Sequence, residues 1–159
     1  MSAAEMPSSG RLEAGIHRFF IRVYYEDTDA AGIVYYANYL KFVERARTEM
    51  MRLYGVEHER WRQAEGIAFI VRHAALDYRA PARLDDTLVV ETRVKELGGA
   101  SIVLSQDVKR GDALLVAATI KVATIGRDGR PVRLPPAFKA AILSSRSSNE
   151  TPRMVPAHG

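Results

Sequence analysis

The residues best suited to chemistry lie in one short acidic loop of this 159-residue chain. The loop, EDTDAAG, contains Glu26, Asp27 and Asp29 and leads directly into a long amphipathic segment. An aspartate is ionised at neutral pH without an activating partner, so it can attack an acyl carbon or accept a proton from water. A carboxylate of this loop is therefore a candidate nucleophile or general base.

The start of the segment after the loop can assist such a carboxylate. Unpaired N–H groups and the positive end of the dipole at a helix N-terminus polarise a carbonyl and hold its developing negative charge. A carboxylate displaces only a good leaving group, and a thiolate, whose conjugate acid has a pKa near about 8.5, leaves without strong acid assistance. An amine would need a proton donor that the loop lacks. The pattern therefore favours thioester hydrolysis over amide hydrolysis.

Two other interpretations of the same acids stay open. Solvated carboxylates in a turn ahead of a helix also stabilise the helix N-terminus without any chemistry. An Asp-x-Asp metal site is the second alternative, although no histidine lies nearby and the further ligands have no candidates in the sequence.

The elements that position the loop follow from hydrophobic periodicity. A strand is predicted over residues 17–25, before the loop, and a long helix over residues 36–54, after it. Apolar residues of the helix share one stripe, and Gly55 is placed to end it. After a polar connection containing Trp61, four more strands are predicted over 67–78, 88–94, 102–108 and 113–125. Tight turns join the last four strands, so the sheet must be antiparallel and the fold α+β.

The predicted domain spans residues 15–143. Residues 1–14 are expected to form a flexible leader, and residues 144–159, rich in Ser, Pro and Arg, a disordered tail. The last predicted strand is apolar on both faces for most of its length, and one helix covers only one face of a sheet. We therefore expect at least a homodimer, with long terminal loops as the alternative cover.

Composition excludes several classes of protein. The chain has no cysteine, which rules out thiolate nucleophiles, disulfides and zinc sites that need sulfur. The longest apolar run, residues 113–120, is far shorter than the roughly 20 residues that cross a bilayer. The N-terminal residues contain acids and no apolar stretch typical of a signal peptide. We therefore expect a soluble protein in the cytoplasm.

The formal net charge of +4 belongs to the predicted domain, where residues 15–143 contain 20 bases and 16 acids. The bases are scattered and form no stripe of the kind that binds nucleic acid. A solvated basic surface and attraction of a small polyanionic ligand both remain consistent with this charge.

Two long segments resemble a known family. They are YYEDTDAAGIVYYANYLKFVERARTEMMR and RAPARLDDTLVVETRVKELGGASIVLSQDV. Both are similar to the 4-hydroxybenzoyl-CoA thioesterase family of hotdog-fold proteins, and most of all to the bacterial Tol-Pal-associated acyl-CoA thioesterases of YbgC type. The resemblance covers about residues 18–136.

The resemblance implies a hotdog fold, in which a five-stranded antiparallel sheet wraps around one long helix. Such chains form homodimers and commonly homotetramers, with active sites at the dimer interface. Asp29 matches the catalytic aspartate, which either forms a mixed anhydride with the acyl group or activates water. The backbone N–H of Tyr36 matches the donor to the thioester carbonyl. Many YbgC-type proteins have His at this position, whereas the hydroxybenzoyl-CoA enzymes have Tyr.

The implied substrate is an acyl-CoA, cleaved to a carboxylic acid and free coenzyme A with no metal or redox cofactor. An acyl carrier protein is a further implied partner. The alternative function is a non-catalytic module that binds acyl-CoA or acyl carrier protein and is linked to the cell-envelope machinery. A hotdog dehydratase is disfavoured, because that class uses a His and the loop and helix start contain none.

Other polar residues have simpler expected roles. Glu26 and Asp27 are expected in solvent at the turn, Glu44 and Glu49 in surface pairs on the helix, and Gly32 at a tight bend. The four histidines, His17, His58, His73 and His158, share no metal-ligand spacing, and only His73 is placed to approach a site. Arg72, Arg79 and Arg83 are candidates for binding coenzyme A phosphates.

Overall fold

Within residues 5–147, which the computed structural model describes, six strands form one antiparallel sheet in the order β1-β2-β4-β5-β6-β3. The strands are β1 (Arg11–Glu13), β2 (Ile16–Arg22), β3 (Ala68–Tyr78), β4 (Thr87–Leu97), β5 (Ser101–Arg110) and β6 (Ala113–Ile125). The helices are α1 (Tyr39–Leu53), α2 (His58–Ala64) and α3 (Pro136–Ser147). The predicted α+β class, with one long helix on an antiparallel sheet, is confirmed.

The sheet has one strand more than the five expected. Strand β1 pairs with β2 through Leu12 and His17, across a two-residue turn at residues 14 and 15. Ala14 has a φ of 54° in that turn. Alanine rarely adopts a positive φ, so its presence does not predict a hairpin.

The ends of the ordered elements differ from the predicted boundaries. Strand β1 lies inside the segment expected as a leader, and α3 extends to Ser147, beyond residue 143. The remainder of the expected tail, from residue 148, lies outside the described residues. The division of the chain at 15 and 143 stays a prediction.

Helix α1 lies across the inner face of the sheet. It is preceded by a 3-10 turn, Tyr36–Asn38, so the predicted helix from residue 36 is two elements. At its end Gly55 has a φ of +93°, and the N–H groups of Gly55 and Val56 donate to Arg52 and Met51. This is the Schellman pattern, and it confirms the predicted helix stop.

The apolar stripe of α1 forms the centre of the core. Its buried residues are Tyr39, Phe42, Val43, Ala46, Met50 and Met51. Leu53, predicted on this stripe, is exposed. At that end of the helix the ring of α3 residue Phe138 packs 6.3 Å from that of Tyr54, so the buried face turns toward Tyr54 and Met51. Facing strands contribute alternate residues, including Leu88, Val90, Leu104, Val116 and Ile120.

Two helices lie where the sequence analysis expected none. Helix α2 occupies the polar connection, and its Trp61 ring stacks on Phe69 at 6.3 Å. Helix α3 begins at Pro136 and buries Phe138 and Ile142. The four-residue spacing of those two apolar residues is typical of a helix. The Ser and Pro residues around them favoured an irregular segment, so no helix was predicted.

The outer edge of the sheet is formed by the long strand β3, whose one neighbour among the described residues is β6. Val71 is 51% exposed, and the residues that follow it as far as Ala75 are exposed as well. On β6, the residues away from α1, such as Ala117 and Thr119, are half-buried. No helix within residues 5–147 is long and apolar enough to cross a membrane.

Candidate active site

The acidic loop folds back on itself as a narrow hairpin before the helix. The carbonyl of Asp27 accepts the N–H of Tyr35 at 3.0 Å, and Thr28 forms an antiparallel bridge with Val34. The N–H of Asp29 donates to the carbonyl of Ile33 at 2.9 Å. These contacts place Asp29 at the tip of the hairpin and Tyr35 at its base, next to the start of the helix.

Asp29 occupies the first position of the turn at the tip. Its carbonyl accepts the N–H of Gly32 at 3.0 Å, and its carboxylate Oδ1 accepts the N–H of Ala31 at 2.8 Å. Gly32 has a φ of +75°, as the predicted tight bend requires. Oδ2 accepts no hydrogen bond from the described residues. One oxygen therefore orients the exposed carboxylate and leaves the other available to a reactant.

Asp27 is not the solvent-exposed turn residue that the sequence analysis expected. It is buried, and its two carboxylate oxygens accept hydrogen bonds of 2.8 Å from the Tyr24 N–H and the Asn38 side-chain amide. Glu26 is exposed, as expected. Two aspartates separated by one residue thus have different surroundings, because Asp27 joins the loop to the helix start and Asp29 faces outward.

The helix start presents an amide without a partner. Tyr36 is the first residue of the 3-10 turn, and none of the described residues accepts a hydrogen bond from its N–H. Such N–H groups at a helix start bind anions and polarised carbonyl oxygens. The Tyr36 carbonyl, in contrast, accepts the hydroxyl of Tyr78 at 2.9 Å.

Tyrosine rings surround this helix start. The Tyr78 ring lies edge-on to Tyr36 at 6.2 Å and to Tyr39 at 5.7 Å, and Tyr35 lies 4.9 Å from Tyr36. The Tyr39 hydroxyl accepts the N–H of Ala82 at 3.0 Å. Burial raises the pKa of both Tyr39 and Tyr78, so these hydroxyls stay protonated at neutral pH.

A pocket of about 350 Å³ opens beside these rings. Its walls include Ile33, Val34, Tyr36, Tyr39, Tyr78 and Pro81. A larger cavity of about 710 Å³ lies beside the start of α3, lined in part by Arg133 and Lys139, and shares no residue with the loop or the helix start. The smaller pocket is the one that adjoins the unpaired amide.

The connection between β3 and β4 binds the second arm of the loop hairpin. The N–H of Val34 donates to the Ala82 carbonyl at 2.9 Å, and Ile33 bridges Arg83. Asp86 secures the connection by accepting the Arg83 N–H and the Arg110 guanidinium, both at 2.8 Å. Partial burial opposes ionisation of Asp86, but these hydrogen bonds outweigh it and lower the pKa of the carboxyl group.

Most of the other candidates from the sequence lie apart from this site, whereas Arg79 lines the pocket and Arg83 bridges Ile33 of the loop. Glu49 pairs with Arg52 at 3.4 Å, as expected, and Glu44 is exposed on α1. His73 is exposed opposite Lys121, and Arg79 pairs with Asp77 at 3.0 Å. Arg72 and Arg83 are exposed, and His158 lies outside the described residues. In residues 5–147 no group of three or more His, Cys, Asp or Glu side chains is arranged to hold a metal ion.

Two features were missed by sequence reasoning. The sequence gives no signal that Tyr78 contacts the helix start, because an aromatic residue at the end of a strand is common. Arg47 is buried on α1 and donates to Gln106 of β5 at 3.0 Å. Its position, four residues after Val43 on the apolar stripe, was a signal that the residue points inward.

Known proteins are similar to this chain in sequence. The model of the thioesterase superfamily matches residues 31–117, which contain the helix start, α1 and most of the sheet. The acyl-CoA thioesterase YbgC of Haemophilus influenzae is 46% identical over 124 residues, 77% of this chain and 91% of that protein. The acyl-CoA thioester hydrolase YbgC of Escherichia coli O6:H1 is 43% identical over 105 residues, 66% of this chain and 78% of that protein.

A solved structure agrees with the sequence comparison. The crystal structure of a probable thioesterase from Bartonella henselae aligns with a TM-score of 0.72 and 38% identity, over 76% of this chain and 99% of that one. The expected hotdog architecture is confirmed, with six strands in place of five. The chain belongs to the thioesterase superfamily, and it is a thioester hydrolase similar to the YbgC proteins.

Proposed function

We propose that this thioester hydrolase cleaves acyl-CoA with water to a carboxylic acid and free coenzyme A. Asp29 is the nucleophile or general base, and the Tyr36 N–H is the oxyanion donor. The observation that carries this assignment is the loop hairpin, which presents an oriented carboxylate at its tip and leads from its base into an unpaired helix-start amide. The YbgC relatives, which are named acyl-CoA thioesterase and acyl-CoA thioester hydrolase, support the same substrate class.

The amide acts on the charge that develops during the reaction. When the acyl carbon becomes tetrahedral, its oxygen gains negative charge and accepts the Tyr36 N–H, at the positive end of the α1 dipole. A single donor of this kind typically changes kcat by about 10²–10³-fold. Because the donor is a backbone group, replacing the Tyr36 side chain retains it.

Two routes use the same two groups. In the covalent route an Asp29 oxygen bonds to the acyl carbon, the C–S bond breaks to release the thiolate, and water then cleaves the mixed anhydride. In the general-base route Asp29 takes a proton from water as the water oxygen attacks, and the C–S bond breaks in the same way. Both routes need the carboxylate ionised and oriented.

The surroundings of the site support a place for each end of the substrate. The pocket beside Tyr36 and Tyr78, with its largely apolar walls, takes the acyl group. The exposed arginines Arg72, Arg79 and Arg83 are candidates for the coenzyme phosphates, in keeping with the net charge of +4.

Assembly belongs to the same proposal. An 11-residue edge strand with exposed side chains, β3, can pair with a second copy, so we infer a homodimer or homotetramer whose partner completes the site. An acyl carrier protein as a second acyl donor and a cytoplasmic location are further parts of the proposal.

The test is thiol release from short-chain, long-chain and aromatic acyl-CoAs. Asp29→Asn retains the shape of the side chain but is neither ionised nor nucleophilic, so kcat should fall at least about 10²-fold. Glu26→Gln, an exposed acid of the same loop, is the matched control and should keep activity near wild type. Near-wild-type turnover by Asp29→Asn would refute the assignment.

Calorimetry separates hydrolysis from the non-catalytic alternative. If wild-type protein binds acyl-CoA but releases no thiol from any of the substrates, the chain is a binding module and the proposed function is wrong.

A further inference from the structure

Strand β3 ends in Tyr78, which is 46% exposed and lines the acyl pocket but whose hydroxyl the reaction proposed above does not use. Tyr78 pairs with Val116 of β6, and its hydroxyl donates to the Tyr36 carbonyl at 2.9 Å. Tyr36 supplies the N–H proposed to bind the oxyanion. The hydroxyl therefore connects the sheet to the residue whose amide must keep a fixed direction.

A second hydrogen bond crosses the same junction and is again donated from the β3 side. The N–H of Ala82, just after β3, donates to the hydroxyl of Tyr39 at 3.0 Å, and the Ala82 carbonyl accepts the N–H of Val34 at 2.9 Å. The bond at Tyr39 secures the first residue of α1, and the bond at Val34 secures the loop. Of these three hydrogen bonds, only the one donated by Tyr78 is accepted by Tyr36, the residue that carries the proposed oxyanion donor.

A substitution can distinguish the effect of the Tyr78 ring from that of its hydroxyl. The ring packs edge-on against Tyr36 and Tyr39, and a phenylalanine at this position keeps both contacts. The hydroxyl stays protonated across the neutral range because burial raises the pKa of Tyr78, so it is a constant donor. Tyr78→Phe therefore removes one hydrogen bond and little else.

We propose that Tyr78 is a positioning residue for the oxyanion donor, holding the Tyr36 backbone so that its N–H points at the thioester oxygen. This inference rests on the proposed function. A displacement of about 1 Å in a catalytic group can cost about 10²-fold in rate, so loss of one of several restraints should lower kcat by about tenfold. KM should change less than about twofold, because the donor acts mainly on charge that forms in the transition state.

The experiment measures kcat and KM for wild type and Tyr78→Phe on the acyl-CoA that the wild type hydrolyses fastest. The matched control is Tyr54→Phe, a buried tyrosine at the other end of α1, about 22 Å away along a 15-residue helix. Circular dichroism and thermal melting give the folded fraction of each variant at the assay temperature. The expected result is a lower kcat for Tyr78→Phe alone, with KM and the folded fraction retained.

Three outcomes would overturn the inference. They are an unchanged kcat, a rise in KM with kcat retained, which would make Tyr78 only a wall of the pocket, and a fall in kcat that merely follows a smaller folded fraction. Asp29→Asn, measured alongside, separates the two proposals. An active wild type and an inactive Asp29→Asn with unchanged Tyr78→Phe would reject the positioning role and leave the proposed function standing.

Discussion

Asp27 and Asp29 show how surroundings assign different tasks to the same side chain. Asp27 is buried and accepts two hydrogen bonds that connect the loop to the helix start, whereas Asp29 is exposed and oriented through one oxygen. The sequence placed both in a catalytic or turn-forming loop, and the resemblance alone selected Asp29. Which aspartate faces inward depends on the backbone hydrogen bonds of the hairpin and on the position of Asn38. Residue spacing in the loop predicts neither of them.

We expect the two aspartates to differ in stability measurements. In Asp27→Asn, one amide oxygen replaces two acceptors and the new NH₂ faces another donor, so the free energy of unfolding should fall by about 1–3 kcal/mol. Asp29→Asn keeps an acceptor for the Ala31 N–H on an exposed side chain and should stay within about 0.5 kcal/mol of wild type. Urea unfolding of both variants checks this, and equal losses would contradict the described burial.

At the scale of elements, helix α1 is joined to the sheet by a buried polar network as well as by apolar packing. Arg47 is 8% exposed and donates to Gln106, which in turn donates to the Thr92 hydroxyl and the Val43 carbonyl. Burial lowers the pKa of Arg47. The periodicity of α1 predicted its apolar face, but the pairing of Arg47 with a strand residue 59 positions away depends on the folded sheet.

Removing one member of this network should cost more than removing two. Gln106→Met leaves a buried guanidinium, a hydroxyl and a carbonyl without their partner, so we expect a loss of about 3 kcal/mol in the free energy of unfolding. Adding Arg47→Met removes the unpaired charge and should recover at least half of that loss. Urea unfolding of the single and double variants measures the coupling, and strictly additive losses would show that the two residues act independently.

At the scale of the whole molecule, stability should depend on pH through two histidines, the fully buried His17 and the half-buried His58. His17 is fully buried, with Nε2 2.7 Å from the Ser9 carbonyl oxygen and Nδ1 unpaired, and burial lowers its pKa below the ordinary 6.5. Burial, followed by the charge of Arg52, lowers the pKa of His58 in the same direction. The folded chain therefore holds both rings neutral at pH values where the unfolded chain protonates them.

The contribution of these two histidines to stability should accordingly be fully present above about pH 6.5. The free energy of unfolding should fall as the pH is lowered below that value. Below that pH the unfolded chain binds the proton first, so each histidine lowers the free energy of unfolding by up to about 1.4 kcal/mol per pH unit, until the pH reaches its folded-state pKa. His17→Gln should reduce the slope and leave the part due to His58. Urea unfolding between pH 7.5 and about pH 5 tests this, and an unchanged slope in His17→Gln would contradict it.

The sequence by itself determined the fold class and the long amphipathic helix with its stop at Gly55, and it predicted the acidic loop as the place for chemistry. These features depend on hydrophobic period, turn residues and a continuous motif, all of which are local. Only the tertiary structure decided that Asp27 is buried while Asp29 is exposed, that Tyr78 reaches the Tyr36 carbonyl, and that Arg47 contacts Gln106. The contacts of Tyr78 and Arg47 join residues 42 and 59 positions apart, so they arise from strand register and helix placement, which no single segment encodes.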